Sequence, residues 1–198
     1  MEPVRSITGI AVPLRRSDVD TDQIIPSDWL KRVERTGFGA GLFAEWREEP
    51  GFVLNEPDRA SANILIAGAN FGVGSSREHA VWALVDYGFE AVISPRFGDI
   101  FRNNSTKAGL VPVVLEAEAA ERLLTAVEDD PTLEVTVDIE RLVVEAPKIG
   151  FAESFPLDPF TQMRILEGLD DIGLTLRHEA DITAFEATRP VWMPTNPA

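Results

Sequence analysis

Short β-branched runs recur along the chain at positions 7–12, 64–67, 91–94, 111–115, 133–137 and 142–145. Runs of this length bounded by turn formers read as strands. Helical spacing stands between them. Positions 78–87 follow a Gly/Ser segment, and 117–128 place Ala119, Leu123, Leu124 and Val127 on one face before Pro131 forbids continuation. This alternation predicts an α/β fold. Toward the C-terminus the signals are caps: Asp158 before Pro159 opens a helix that Gly168 can end, and Asp181 can cap positions 182–188. A helical extension over about 157–198 is expected, with the last residues a loose tail.

Between Gly37 and Pro57 the pattern gives way to Gly, Phe, Trp and acidic residues, which reads as a long ordered loop. Trp46, an aromatic among charges there, would suit contact with another chain. Length adds one constraint. The 198 residues fit one domain, 1–198, better than two.

Charge and cysteine content narrow the function. A formal net charge of -15 leaves too few cations for an extended phosphate-binding face, so nucleic acid and anionic membranes are poor partners. With no cysteine the chain can form no disulfide and offer no thiolate to zinc or an iron–sulfur cluster. The two histidines, His79 and His178, fit no metal-ligand spacing, so no metal site is expected. Nothing at the N-terminus resembles a signal peptide, and no run reaches the ~18 apolar residues that span a bilayer. A cytoplasmic protein is the expectation.

The segment NILIAGANFGVGSSREH, positions 63–79, carries the chemistry: a buried-type strand, a glycine-rich turn, then a helix. Gly72 and Gly74 can adopt backbone angles closed to other residues, and amides at the helix start favour an anion. Ser75, Ser76 and Arg77 stand at that mouth. The turn is no dinucleotide fingerprint, since the third glycine of G-x-G-x-x-G falls on Arg77, and it lacks the lysine of a P-loop. A plainer explanation is a capping box, Ser75 with Glu78 three residues on. That leaves Ser76 and Arg77 unassigned, and an arginine in a first helical turn opposes the dipole unless an anion offsets it. For a carboxylate ligand Arg77 supplies a forked donor. Ser75 or Ser76 could then act as a base, because an alkoxide would be stabilised by amides and a guanidinium in a water-poor site. Neither a hydrolase triad nor G-x-S-x-G is present.

At GVGSSREHA the chain resembles the aconitase superfamily, whose swivelling domain carries a Gly-x-Gly-Ser-Ser-Arg-Glu-His signature. DVDTDQIIP at 18–26, RFGDIFRNNSTKAG at 96–109 and GLDDIGLTLRHE at 168–179 match in the order the family shows, so the resemblance covers nearly the whole chain. The later motifs are similar to the family of separate small subunits of bacterial isopropylmalate dehydratases. The resemblance implies a three-layer α/β swivelling domain with a parallel sheet plus C-terminal helices. It also implies a hydro-lyase that isomerises a small hydroxy-dicarboxylate by dehydration and rehydration, in leucine biosynthesis. A [4Fe–4S] cluster would sit in a partner large subunit, and this chain alone would be nearly inactive.

Carried onto this sequence, the resemblance makes Ser75 the base and gives Ser76 and Arg77 to the substrate carboxylate. Asp22, in Thr21-Asp22, resembles the aspartate that borders the active site, and Thr21 is a substrate-binding candidate beside it, although Asp18, Asp20 and Asp22 around Thr21 would also suit ordinary turn chemistry. The loop 30–37, LKRVERTG, resembles the one that faces the substrate's variable side chain. Arg32 and Arg35 are candidates for a remote carboxylate, and Val33 for an isopropyl group. Homoaconitate or citramalate would be alternative substrates, since the loop offers both cations and an apolar residue. A non-catalytic carboxylate-binding module is a further alternative, against which the intact Ser75 and Arg77 argue. His79 is expected to support the site, His178 to lie on the surface, and Arg102, Asn103, Asn104 and Lys107 to act as loop residues shaping the site.

Overall fold

The computed structural model describes residues 2–31, 36–190 and 192. Along the chain these form β1 (Ser6–Leu14), α1 (Thr21–Ile24), β2 (Ile64–Ala67), α2 (Glu78–Tyr87), β3 (Ala91–Ser94), α3 (Asp99–Ala108) and β4 (Val111–Val114). There follow α4 (Ala117–Asp129), β5 (Glu134–Asp138), β6 (Val143–Ala146), β7 (Phe151–Ser154), α5 (Pro159–Glu167), α6 (Asp171–Leu176) and α7 (Glu179–Ala187).

All seven strands join one sheet in the order β4-β3-β2-β1-β5-β6-β7. The α/β architecture is as expected, and the parallel sheet comprises β1 to β4. An antiparallel half extends it, and β1 is the seam. Residues Ala11–Leu14 run parallel to Ile64–Ala67, while Ser6–Ile10 pair antiparallel with Glu134–Asp138. Nine residues are enough for both jobs because the two partners take successive halves of the strand.

Side-chain alternation along β2 divides the interior. Ile64 and Ile66 face one core with α4, and Leu65 and Ala67 face the other with α2. Each parallel strand is thus buried on both faces, which is why its sequence reads as an unbroken apolar run. The α4 face is the predicted one: Ala119, Leu123, Leu124 and Val127 are all buried. At roughly 1.5–3 kcal/mol for each large aliphatic side chain, this stripe fixes the helix on the sheet. A buried arginine that the sequence does not announce ties the layers together. Arg59, 3% exposed, donates from Nη1 to the Ala11 carbonyl at 2.9 Å and from Nη2 to the Val127 carbonyl at 2.7 Å.

The stretch from Gly37 to Pro57 is ordered by short 3-10 turns rather than by regular structure. Phe38, Leu42, Phe43, Phe52 and Leu54 are buried in the second core. Trp46, partly buried, stacks on Phe43 with centroids 5.2 Å apart and carries the Arg16 guanidinium 4.2 Å from its ring centre.

The C-terminal helices form with one correction. Asp158 caps α5 by accepting from the Thr161 amide at 2.9 Å, and Gly168 ends it in the left-handed region. By contrast α7 begins three residues before the position predicted. Its N-cap is His178, and Asp181 lies inside the first turn, where a carboxylate suits the dipole without capping.

Candidate functional site

Three loops leave the carboxyl ends of β1, β2 and β3 and meet at one edge of the parallel sheet, the place where open α/β sheets bind ligands. Short backbone ladders hold them together. Asp20 bridges Val73 and Phe71 bridges Phe97. The Gly72 and Val73 amides both donate to the Val19 carbonyl, at 2.8 and 3.1 Å, and the Thr21 amide donates to the Val73 carbonyl at 3.0 Å.

The two glycines do different work. Gly72 has φ +72°, and a Cβ there would lie 2.2 Å from Cγ of Phe101; its carbonyl in turn sits where a side chain on Gly98 would be, at 2.4 Å. Gly74 has φ +89°, and a Cβ there would make only ordinary contact with Asp20 Cβ at 3.4 Å, so only its backbone angle demands glycine. Gly98, which pattern reading does not single out, is the third member of this close-packed turn.

Helix α2 begins at Glu78, with Arg77 as an extended N-cap that makes no side-chain capping bond. The capping box expected from Ser75 and Glu78 is therefore absent, and Ser75 and Ser76 stand exposed in the loop before the helix. A capping box does form nearby on α1. Asp20 accepts from the Gln23 amide at 2.8 Å, and the Gln23 side chain accepts from the Asp20 amide at 2.9 Å.

With Asp20 committed there and Asp18 accepting from the Asn70 side chain at 2.6 Å, the three aspartates of the first motif separate into distinct jobs. Asp22, itself exposed, forms an ion pair with Nη1 of Arg77, whose side chain is 24% exposed. This carboxylate is the anion that lets a guanidinium sit at a helix N-terminus. Thr21, 2% exposed, places its hydroxyl 3.0 Å from the Ser75 carbonyl and 3.1 Å from the Ser75 hydroxyl. The fold thus brings Thr21, Asp22, Gly74, Ser75, Ser76 and Arg77 to one mouth.

Other expectations fare differently. Arg32, Val33 and Arg35 lie outside the described residues. Just before them, Lys31 donates to Asp28 at 2.8 Å, which holds the Asp28 carboxyl below its ordinary range and the Lys31 ammonium above its own. Just after them, the Phe38 amide donates to Asp86 on α2 at 2.9 Å. His79 is packed between the rings of Phe38 and Trp82, with centroids 5.3 and 4.7 Å away. His178 is exposed, as expected, and 3.6 Å from Asp181. Arg102, Asn103, Asn104 and Lys107 belong to α3, not to a loop. Arg102 and Asn103 line a polar cleft with Asp99, Thr106, Asp158 and Thr161, which does not include the serines.

Among the described residues no group of three or more His, Cys, Asp or Glu converges as a metal site. Without cysteine the chain offers no thiolate set for an iron–sulfur cluster. No helix among the described residues is long and apolar enough to cross a membrane.

Comparison with known proteins agrees along the chain. The Aconitase C-terminal domain family matches residues 1–118, and the family of the C-terminal domain of the 3-isopropylmalate dehydratase small subunit matches 171–195. The chain is 66% identical over 195 residues to the 3-isopropylmalate dehydratase small subunit of Parafrankia sp., covering 98% of this chain and 99% of that one. It is 61% identical over 194 residues to that of Rubrobacter xylanophilus, covering 98% of each. The fold is similar to the crystal structure of 3-isopropylmalate dehydratase from Methanocaldococcus jannaschii, with a TM-score of 0.67 and 24% identity over 91% of this chain and 99% of that one.

Proposed function

The chain belongs to the 3-isopropylmalate dehydratase small-subunit family, and on that premise we propose that it closes over a large subunit to interconvert 2- and 3-isopropylmalate in leucine biosynthesis, in the cytoplasm. The observation that carries this reading is the cluster at the sheet edge: a serine hydroxyl outside the helix, beside an arginine whose counter-ion is one exposed carboxylate. A structural arginine would be held by buried carbonyls, as Arg59 is by those of Ala11 and Val127. Arg77 instead faces the open mouth.

Ser75, as an alkoxide, takes a proton from the carbon next to the one bearing the hydroxyl. The electron pair of that C–H bond becomes the second bond of the alkene as hydroxide leaves, and rehydration with the hydroxyl on the other carbon returns the proton. Arg77 and Ser76 hold a substrate carboxylate through guanidinium and hydroxyl donors. Arg32, Arg35 and Val33 are assigned to the variable end of the substrate. Bound on the large subunit, a [4Fe–4S] cluster supplies a Lewis acid for the departing hydroxyl. Ser75 and Ser76 are exposed here, whereas an alkoxide needs a water-poor site. The partner must therefore provide the missing wall.

The test is ultraviolet-monitored hydration of dimethylcitraconate by this chain alone and then mixed anaerobically with a cluster-loaded large subunit. Activity only in the mixture is expected. Silence in a mixture shown to be assembled and cluster-loaded would remove this substrate from consideration, and homoaconitate and citramalate would be assayed next.

A further inference from the structure

Thr21 is nearly fully buried, yet its hydroxyl reaches both the carbonyl and the hydroxyl of exposed Ser75, at 3.0 and 3.1 Å. A threonine hydroxyl has one proton to give and two lone pairs to offer. While that proton is donated to the Ser75 carbonyl, the Ser75 hydroxyl must be the donor in the second contact. Its hydrogen then points at Thr21, which leaves its lone pairs free to accept from other donors. The Thr21 amide donates to the Val73 carbonyl at 3.0 Å, and the Arg77 amide donates to the Ser75 carbonyl at 2.9 Å, so the carbonyl keeps a donor if Thr21 turns away. The β-branched threonine has a restricted χ1, which holds its oxygen in place while leaving the hydroxyl hydrogen able to rotate.

Resting on the assignment of Ser75 as base, we infer that Thr21 is a positioning residue whose single proton alternates between the Ser75 carbonyl and the Ser75 oxygen. When Ser75 is an alkoxide, Thr21 donates to it, forming a charge-assisted bond stronger than the neutral one it replaces. When Ser75 takes the proton from substrate carbon, the Ser75 hydroxyl donates to Thr21 and the threonine proton returns to the carbonyl. Only one proton is transferred in each half-reaction, from carbon to Ser75 or back, and Thr21 keeps its own throughout. The hydroxyl is not needed as a cap, because Asp20 already caps α1.

The experiment uses the assembled two-subunit enzyme with Thr21→Val, Thr21→Ser and Ser75→Ala, assayed by dimethylcitraconate hydration across pH. Thr21→Val is expected to lower kcat by about 10- to 100-fold, the range of one lost hydrogen bond to a charged group, with KM changed less than about threefold. The acid limb of its kcat profile should move to higher pH. Thr21→Ser should restore most of kcat and the original limb. Wild-type kcat in Thr21→Val, or equal loss in Thr21→Val and Thr21→Ser, would overturn the inference, the second outcome because a variant that keeps the hydroxyl would then lose as much as one that lacks it. Should Thr21→Val fail to fold, Thr21→Ala removes the same hydroxyl with less bulk and takes its place in the comparison. Ser75→Ala separates the two levels: if it retains turnover, the base assignment itself fails, whereas if it is dead while Thr21→Val is normal, only the role of Thr21 fails.

Discussion

Gly72 and Gly74 look interchangeable in the sequence, two glycines flanking one valine in a loop, but their surroundings differ. At Gly72 a methyl group would meet the Phe101 ring at 2.2 Å in addition to an unfavourable φ, and the ring is buried and cannot swing aside cheaply. At Gly74 the nearest neighbour is 3.4 Å away, leaving only the backbone penalty. Gly74→Ala should therefore cost about 1–2 kcal/mol for the left-handed backbone, and Gly72→Ala that amount plus ~1–3 kcal/mol of overpacking. Urea unfolding of the two variants checks this; equal losses would mean the Phe101 contact is not tight. Residue identity also shows how far the site is legible in the sequence. The types and order of Ser75, Ser76 and Arg77 make them candidates, and Asp22 stands out with its neighbours. What the residues alone do not reveal is that Asp18 and Asp20 are consumed by Asn70 and Gln23 while Asp22 goes to Arg77. The bond from Thr21 to Ser75 is equally hidden, because it spans 54 residues and depends on two loops meeting at the sheet edge.

Elements are legible where local pattern and tertiary role coincide. Strands β2 and β3 and helices α2 and α5 fall where apolar runs and turn residues put them, since buried parallel strands must be apolar throughout and glycine marks both helix ends. Helix α3 is hidden because Asp99–Ala108 has few apolar residues and one of them, Ile100, is exposed; packing through Phe101 holds it. Strand β7 is hidden because four residues at a sheet edge, FAES, carry too short a pattern to register. The turn after α4 yields a prediction of its own. Lys148 and then Thr132 hydrogen-bond to the Asp130 carboxylate and bring its pKa from 3.8 down to about 2. A carboxyl whose pKa falls on folding contributes stability that is complete above the unfolded value and is lost as pH drops through the folded one. The urea midpoint of wild type should exceed that of Asp130→Asn at pH 6, and the gap should close between about pH 4 and about pH 2, the unfolded and folded values. A gap that persists unchanged at the acid end would assign the effect to hydrogen bonds the asparagine cannot make, not to the ionised carboxylate.

Across the molecule, burial is unevenly distributed, and this determines which parts the fold needs. Both cores are built from the sheet, α2, α4 and the turns of the 37–57 stretch, with Ile165 of α5 as the last buried contribution; the Val4 amide also donates to the Ile165 carbonyl at 3.0 Å. Beyond it α6 and α7 bury no residue, and Ile172, Leu176 and Phe185 are more than half exposed. What attaches these helices to the rest includes ion pairs such as Arg164 with Asp171 at 3.0 Å and Arg177 with Glu167. Ion pairs with at least one side chain in solvent, as in both of these, are worth about 0–1 kcal/mol each, and about 1 kcal/mol moves the melting temperature of a chain this size by ~2–4 °C. A chain ending after Leu169 keeps Ile165 and the Arg164 bond to the Leu169 carbonyl at 3.3 Å. Its melting temperature should lie within about 8 °C of the full chain by thermal circular dichroism, with the sheet signal intact. A fall well beyond that range would show that α6 and α7 stabilise the sheet through contacts their exposure conceals, and the division between a self-sufficient sheet and an appended helical segment would have to be withdrawn.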